Sequence, residues 1–592
     1  MSARGGTSAS SRPIWRVWLR GRPETLYPVA CGTLAAFAFV FNWATGHRGI
    51  FLCDQSGIFD GGWRILQGQV PYKDFFFPFG PVAVYIQALF FRFFGVNWTA
   101  AVLPACLFNS GATLSTIRIV RRLGGGSRLL ALCGGLATAI CFQPPFGTLI
   151  FDQTAVFFDF LALQAVVESL GASGYRRGLW RLAGGFSLAL AALSKQNFGI
   201  LFIPVVFAVV AAGELPNVRR ACRAVLLAGT GMAAALAIFL GWVWVYSDLP
   251  SFIERFLMLG GEIGRSRVTA NAIVNALFFQ TFPLYIQVDL IGVFAGGIAL
   301  YLAGRNLFGK KPDIAAWRQA APAGTVALLP PFYRSISQAV TLNNWQNNCA
   351  FVGLAACLGV SLLIRNMSYI SITPAAGPSG HPDGVVRLRF APKLRVCLEV
   401  AAVWGVLILG FEGRDAWNRT VQEFGPSTTF RDTVHVRGLE RVRWGEPTPL
   451  SYVTGTGILR KANFEELASY LAAKKTNFFV IGDSAMLYGI LGVRSPQPLL
   501  YFMPSHCFLE KEIPRLDGLI SASLERNRIG VVVREKVTYL PEVHDAYPRF
   551  PRTWAWFTSN FDHVSDFGNY EIWERQPYRA PETRSTRSSD RP

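Results

Sequence analysis

Between residues 26 and 411 the chain is a succession of long apolar runs, each separated from the next by a short segment rich in arginine. A run of about 20 apolar residues can cross the roughly 30 Å hydrocarbon core of a bilayer as a helix. Inside that core every backbone N–H and C=O must find a partner, so the runs are expected to be helices. Basic residues collect in cytoplasmic loops. Here they cluster at the N-terminus (Arg4, Arg12, Arg16, Arg20, Arg22), at Arg118, Arg121, Arg122 and Arg128, and at Arg176, Arg177 and Arg181. Further clusters are Arg219, Arg220 and Arg223; Arg305, Lys310, Lys311 and Arg318; and Arg365, Arg387, Arg389, Lys393 and Arg395. If all face one side, an even number of crossings separates each from the next.

That condition resolves residues 81–96, PVAVYIQALFFRFFGV, which otherwise resemble a crossing. Counting them would leave three crossings before the Arg118 cluster. They are also short, and Arg92 interrupts them, so they are expected to lie as a helix in the outer interface. Crossings are then predicted near 26–46, 98–118, 129–145, 153–171, 181–194, 198–213, 224–246, 283–303, 320–336, 349–364 and 394–411, eleven in all. The N-terminus falls inside and the C-terminal region outside. Residues 181–213 must cross twice with about 15 residues per leg, roughly 22 Å. That length would set the turn SKQN, residues 194–197, below the outer surface, in a cavity that opens outward and contains Lys195.

The fold class expected is therefore a polytopic α-helical membrane protein of about eleven transmembrane helices with a small C-terminal α/β extracytoplasmic domain. Its parts are a basic cytoplasmic N-terminus (1–25), a transmembrane domain (26–411) with a first outer loop at 46–97, the α/β domain (412–578) and a disordered tail (579–592). No small-residue cleavage site closely follows the N-terminal arginines, so the first run reads as an uncleaved anchor. Charged residues are 16% of the chain, well below the roughly 25% of soluble proteins. The net charge of +20 comes from arginines between apolar runs, and no zinc-finger or RNP-like spacing accompanies it, so nucleic acid is not an expected partner. The ten cysteines contain no CxxC, and Cys53, Cys349 and Cys507 are the ones expected outside, with a Cys53–Cys507 bridge left open.

The chemistry-bearing residues gather at the outer ends of the runs. Residues 51–81 read FLCDQSGIFDGGWRILQGQVPYKDFFFPFGP. Asp54 sits where the first run leaves the bilayer, followed by a Gly- and Trp-containing stretch, the PYKD turn, and an aromatic run closed by Pro81. A chain built only to span a membrane has no need of this loop. Asp152 lies in FGTLIFDQT, in the short turn after the third run. Lys195 lies in ALSKQNFG, and an ammonium below a membrane surface is expensive enough to mark a functional site. Each has a plain reading as well: a solvated acid at a helix end for Asp54, helix N-capping for Asp152 and snorkelling for Lys195.

The 51–81 stretch resembles the first extracytoplasmic loop of the GT-C glycosyltransferases that use polyprenyl-phosphate sugars. More narrowly, it is similar to the protein-mannosyltransferase and lipid A aminoarabinose-transferase branch, over residues 26 to about 510. The resemblance implies an enzyme that moves a hexosyl or pentosyl group from a polyprenyl-phosphate-linked donor to a glycan, lipid or protein acceptor, by inverting displacement. An inverting displacement needs a base opposite the leaving group and cations on the departing phosphate. Asp54 matches the first-loop acid of the family and is the candidate base. Asp152 matches an acid in the second outer loop, and Lys195 with Gln196 matches a Lys-Gln element that would meet the carrier phosphate. Asp60 is a further candidate. Gln55 stands where many relatives carry a second acid, which weakens a paired-acid metal site; no cofactor is required and a divalent metal stays open.

Other cations could reach the donor phosphate. Lys73 in PYKD is one, with an ion pair to Asp74 as its alternative. Arg265 and Arg267 in GEIGRSRVT and Arg334 near NNWQNN are others, because arginine matches phosphate oxygens bidentately; solvated loop charge is their alternative. Some aminoarabinose transferases place a lysine just before the proline that starts the interfacial helix. Here Phe79-Gly80-Pro81 occupies that place, so the contact does not carry over.

In the C-terminal region, FEELASYLAAKKTNFFVIGDSAMLYGILG reads as helix, strand, turn, helix; DGLISASLERNRIGVVVRE as helix, strand; and FDHVSDFGNYEIWER as a hairpin. IGDS is not a phosphate-binding loop. The segment from it to LLYF resembles the soluble part of bacterial relatives and reads as a cap over the cavity. The resemblance places the protein in a bacterial inner membrane with this domain in the periplasm. Two other classes remain: a transporter or flippase of a lipid-linked sugar, which usually shows inverted repeats that are absent here, and a non-catalytic membrane assembly protein.

Overall fold

The computed structural model describes residues 23–50, 52–267, 269–272, 283–308, 313–341, 351–367, 405, 410, 413, 414, 416, 417, 430–445, 460–502, 507–538 and 547–576. The apolar runs are helices: α1 (Pro23–Gly46), α2 (Leu52–Leu66), α3 (Val82–Phe94), α4 (Trp98–Leu123), α5 (Arg128–Cys141), α6 (Phe151–Gly171), α7 (Gly174–Ala192), α8 (Gln196–Glu214) and α9 (Val218–Tyr246). Five of these are long and apolar enough to cross a membrane: Leu26–Gly46, Trp98–Leu123, Phe151–Gly171, Gln196–Glu214 and Val218–Tyr246. A helical segment follows, made of α10 (Leu249–Phe252), a π-helical stretch (Ile253–Leu259) and α11 (Gly260–Arg267). The bundle continues through α12 (Pro283–Phe308), α13 (Ile314–Thr341) and α14 (Val352–Met367). The crossing predicted at 394–411 lies outside the described residues apart from Gly405 and Gly410, as do the N-terminal arginines and the tail.

Local chemistry sets several boundaries. Asn97 caps α4, its Oδ1 accepting from Ala100 N at 2.9 Å, and Asn217 caps α9 through Arg220 N at 2.9 Å. Helices α7 and α9 approach closely through small residues. A Cβ on Gly185 would strike the Ala228 carbonyl, and one on Gly231 would strike the Leu182 carbonyl. The bundle core is aromatic around Phe160, Phe202, Tyr333 and Phe351, where Phe160 stacks on Phe351 with centroids 4.5 Å apart.

Two expectations change. Helices α7 and α8 are each 19 residues long, about 28 Å at 1.5 Å per residue, rather than 15-residue legs. The difference lies at the arginine end: Arg176, Arg177 and Arg181 belong to α7, because Arg181 is ion-paired to Glu214 at the end of α8. The SKQN turn is therefore not recessed by short helices. It is partly covered by the first loop, whose Phe79 ring and Pro78 carbonyl meet Lys195 and Gln196. Second, the segment read as the first outer loop, 46–97, contains a further helix, α2, over residues 52–66. The segment expected to lie in the interface is the 13-residue α3, with Ala83, Val84, Gln87, Ala88 and Phe91 buried and Leu89, Phe93 and Phe94 exposed.

The C-terminal region contains a short pair β1 (Asp432–Thr433) and β2 (Arg443–Trp444), then α15 (Lys461–Lys474), β3 (Phe478–Ile481), α16 (Met486–Leu491), α17 (Ile513–Arg526), β4 (Val531–Glu535), α18 (Pro551–Asn560), β5 (Phe561–Phe567) and β6 (Tyr570–Arg575). The helix–strand order follows the sequence patterning, with α18 as an addition. The sheet order is β3-β4-β6-β5, with β3 and β4 parallel and the other pairs antiparallel. All four residues of β3 are buried. Phe478 and Val480 share a core with α15 and α16, whereas Phe479 and Ile481 share one with α17 and Phe557 of α18.

Both of those cores continue into the loop end of the bundle. Tyr72, Phe75, Phe77 and Phe151 belong to one, and Ile50, Leu52, Phe59, Phe91 and Trp98 to the other. Phe76 pairs backbone with the C-terminal region: its N–H donates to Pro498 O at 2.7 Å and its carbonyl accepts from Leu500 N at 3.0 Å. The C-terminal region is thus packed onto the first loop without a break in the apolar core.

Candidate active site

Helix α2 supplies Asp54 in its first turn. Its glycines give the helix its neighbours: Gly57 lies against the Tyr501 ring, Gly61 against Val84 and Leu500, and Gly62 against Gln87. Glycine is required there because any Cβ would meet those side chains. Gln55, which stands where many relatives carry a second acid, is buried, and its Nε2 donates to Phe146 O at 2.8 Å. The PYKD turn carries Tyr72 at φ 65, a strained value for a bulky residue. It is held by stacking on Phe77 at 5.3 Å, an edge contact to Phe252 at 5.1 Å, and a hydrogen bond from its hydroxyl to Phe79 O.

Asp152 opens α6 and is buried. Lys195 is the residue before the first turn of α8, and its Nζ is ion-paired with Asp152 Oδ1. The Lys195 side chain keeps 14% of its surface. Its ammonium also lies over the rings of Phe79 at 5.0 Å and Phe198 at 5.5 Å. Phe79 is packed on Phe151 at 4.7 Å, and Phe151 meets Tyr501 edge-on at 6.2 Å. The pair therefore has an aromatic wall drawn from the first loop, α6 and the C-terminal region. Gln196 fastens the turn from above: its Nε2 donates to Pro78 O at 2.8 Å and Phe256 O at 3.1 Å. Val82 N donates to Leu193 O at 3.4 Å, and a Cβ on Gly80 would strike that same carbonyl.

Asp54 belongs to this group. The Tyr501 hydroxyl donates to its backbone carbonyl at 3.2 Å, and its half-buried carboxyl lies in the field of the Asp152–Lys195 pair. Burial pushes the carboxyl up to about 6; the Asp152 charge adds to this, the Lys195 ammonium opposes it, and Asp483 adds again. Two acids and one ammonium thus converge where α2, α6 and α8 begin.

Asp60, Lys73 and Arg265 have surroundings of their own. Asp60 is fully buried and serves a structural hub: Arg64 Nε donates to its Oδ2 at 2.6 Å, while the guanidinium also reaches Gln497 O at 2.6 Å and Ser495 Oγ. Lys73 and Asp74 are exposed, and Asp74 Oδ2 closes its own turn by accepting from Val70 N at 2.7 Å. Arg265 is exposed on α11. The side chains of Arg267, Arg334 and Cys53, and all of Cys349, lie outside the described residues; Cys507 is buried. Among the described residues no group of three or more histidine, cysteine, aspartate or glutamate side chains is placed to hold a metal ion.

Asp483, Tyr501 and the ring of Phe79 were not among the sequence candidates. A signal for Asp483 did exist. It follows the carboxyl end of a strand in a parallel pair, where α/β sheets usually place ligands.

Residues 78–244 match the family model described as dolichyl-phosphate-mannose-protein mannosyltransferase. None of the curated protein sequences matches the chain. Among solved structures, ArnT from Cupriavidus metallidurans bound to undecaprenyl phosphate superposes with a TM-score of 0.52 at 14% identity, covering 91% of this chain and 97% of that one. The same protein in the apo state gives 0.50 at 15% identity, with the same coverage. The likeness is one of architecture: the chain has the ArnT-like GT-C fold.

Proposed function

We propose that the protein is an integral-membrane glycosyltransferase that moves a sugar from a polyprenyl-phosphate donor to an extracytoplasmic acceptor with inversion. What carries the reading is the meeting of Asp54 with the Asp152–Lys195 pair beneath the first loop. Asp54 takes the proton of the acceptor hydroxyl as that oxygen bonds to the anomeric carbon. The bond from that carbon to the carrier phosphate breaks, and the phosphate leaves with the electron pair. Lys195 meets the growing phosphate charge. One of its N–H groups is held by Asp152, which fixes the ammonium in place. A carboxyl near 6 is mostly ionised at neutral pH yet basic enough to accept a proton, which suits a general base.

The ArnT structure with this fold holds undecaprenyl phosphate, which makes a polyprenyl phosphate the first donor class to try. The family description for residues 78–244 names a dolichyl-phosphate mannose donor, a second polyprenyl carrier. The protein sits in a bacterial inner membrane with the first loop and C-terminal domain on the periplasmic face. Lys73, Arg265, Arg267 and Arg334 are secondary phosphate contacts in this proposal. The test is transfer by purified, reconstituted protein from a panel of radiolabelled polyprenyl-phosphate sugars. Label appearing on an acceptor only with wild-type protein, and not with Asp54→Asn, supports the reading. Donor binding without transfer for every sugar would favour a flippase.

A further inference from the structure

We infer that Asp483, on the turn after β3, is a positioning residue for the transfer: the C-terminal domain delivers its carboxylate to Asp54 and so completes the active site. The inference rests on the transferase reading above.

The turn is built to hold one shape. Glu535, the last residue of β4, is buried, and its carboxyl oxygens accept from the backbone N–H of Asp483 at 3.0 Å and of Ser484 at 2.9 Å. A Cβ on Gly482 would strike that carboxyl group, so only glycine permits the approach. Ser484 Oγ contacts the Tyr570 hydroxyl at 3.3 Å, and the Tyr488 hydroxyl accepts from Val480 N at 2.8 Å. The same turn is seated on α2. Met486 N donates to Ser56 Oγ at 2.8 Å, and Gly489 lies against Phe59 and Trp63. Asp54 and Ser56 share one helical turn, and Asp483 and Met486 share the other side of that contact. Tyr501, from the same domain, holds the Asp54 carbonyl.

Stability alone does not explain this arrangement. Burial, and then the neighbouring Asp483, pushes the Glu535 carboxyl up to about 8. Placing an aspartate beside a buried acid is unfavourable, and natural folds keep such conflicts where function uses them. The charges acting on the Asp54 carboxyl are, in falling order, Asp152 from α6, Lys195 from the turn before α8 and Asp483 from the turn after β3. Lys195 draws the Asp54 proton off, and Asp483 holds it on. Asp483 thus acts through Asp54, tuning it toward a base that works near neutral pH.

The experiment is the pH dependence of single-turnover transfer by the full-length protein at saturating donor. In the wild type the rate should rise with pH through about 6. Asp483→Asn should move that rise to lower pH, and Asp483→Glu should restore it. Lys195→Gln should move it the opposite way. A purely structural role would lower the plateau or the thermal stability and leave the midpoint in place. If Asp483→Asn does not accumulate as folded protein, Asp483→Ser is measured in the same way. An unmoved or upward-moved midpoint in the folded neutral variant overturns the inference while leaving the transferase reading intact. Full turnover in Asp54→Asn overturns the base assignment, and this inference with it.

Discussion

Lys195 and Asp152 form an ion pair with little water around it, and such pairs are costly to break on one side only. Removing one partner of a buried pair costs about 3–5 kcal/mol because the other charge is stranded. Lys195→Ala should therefore lose both donor affinity and stability. Adding Asp152→Asn should recover the stability and not the affinity, which thermal unfolding and donor titration separate. Recovered affinity in the double variant would mean that Lys195 serves the fold rather than the phosphate. Asp54 makes a different prediction. Its carboxyl rises from an ordinary value near 3.8 to about 6. Between those values the folded protein holds a proton that the unfolded chain has released, so stability falls as pH rises through that window. By pH 8 the cost is at most about 3 kcal/mol, reduced by the water that reaches this half-buried group. Asp54→Asn should thus be more stable than wild type at pH 8 and not below pH 4. It should also turn over about 10²- to 10⁴-fold more slowly. Thermal unfolding across pH and turnover at saturating donor check the two halves.

At the scale of elements, α2 joins the membrane bundle to the C-terminal region. Arg64 is its central tie, fully buried with Asp60 and the 495–497 segment. Arg64→Met should destabilise by about 3–5 kcal/mol by stranding Asp60, whereas Asp60→Leu with Arg64→Met should be close to neutral. Proteolysis between residues 460 and 502 reads the difference. Helices α1, α4, α6, α8 and α9 were legible because apolar length alone specifies them. Helices α15, α16 and α17, strands β3 and β4 and the β5–β6 hairpin were legible as helical patterns followed by short apolar runs, whereas β1, β2 and α18 were not. Helix α2 was not, because Gly57, Gly61 and Gly62 look like loop residues until their partners are known. The depth of the SKQN turn was inferred from the wrong cause: arginines were assigned to loops, and Arg181 is in fact neutralised inside the bundle by Glu214. Asp54, Asp152 and Lys195 were found because each is a charge at the end of an apolar run. Asp483 was not, since its one signal, a place just past the carboxyl end of β3, shows only once β3 is paired in parallel with β4.

For the whole molecule, the proposed topology puts exposed Lys73 and Glu466 on the same side of the membrane and exposed Arg219 on the other. Lys73→Cys and Glu466→Cys should react with an impermeant maleimide in intact cells, measured against the native cysteines, and Arg219→Cys only after lysis. Labelling of all three in intact cells would overturn the topology. The packing of the first loop against the last domain also has a consequence in time. Asp54 and Tyr501, which share a hydrogen bond, are 447 positions apart. Synthesis at 5–20 residues per second separates their emergence by roughly 20–90 s. During that interval the aromatic loop has been made but the surface that covers it has not. A ribosome that stops early leaves a bundle with a bare apolar mouth and an incomplete centre, fit for quality-control capture and unable to act on the lipid-linked sugars around it.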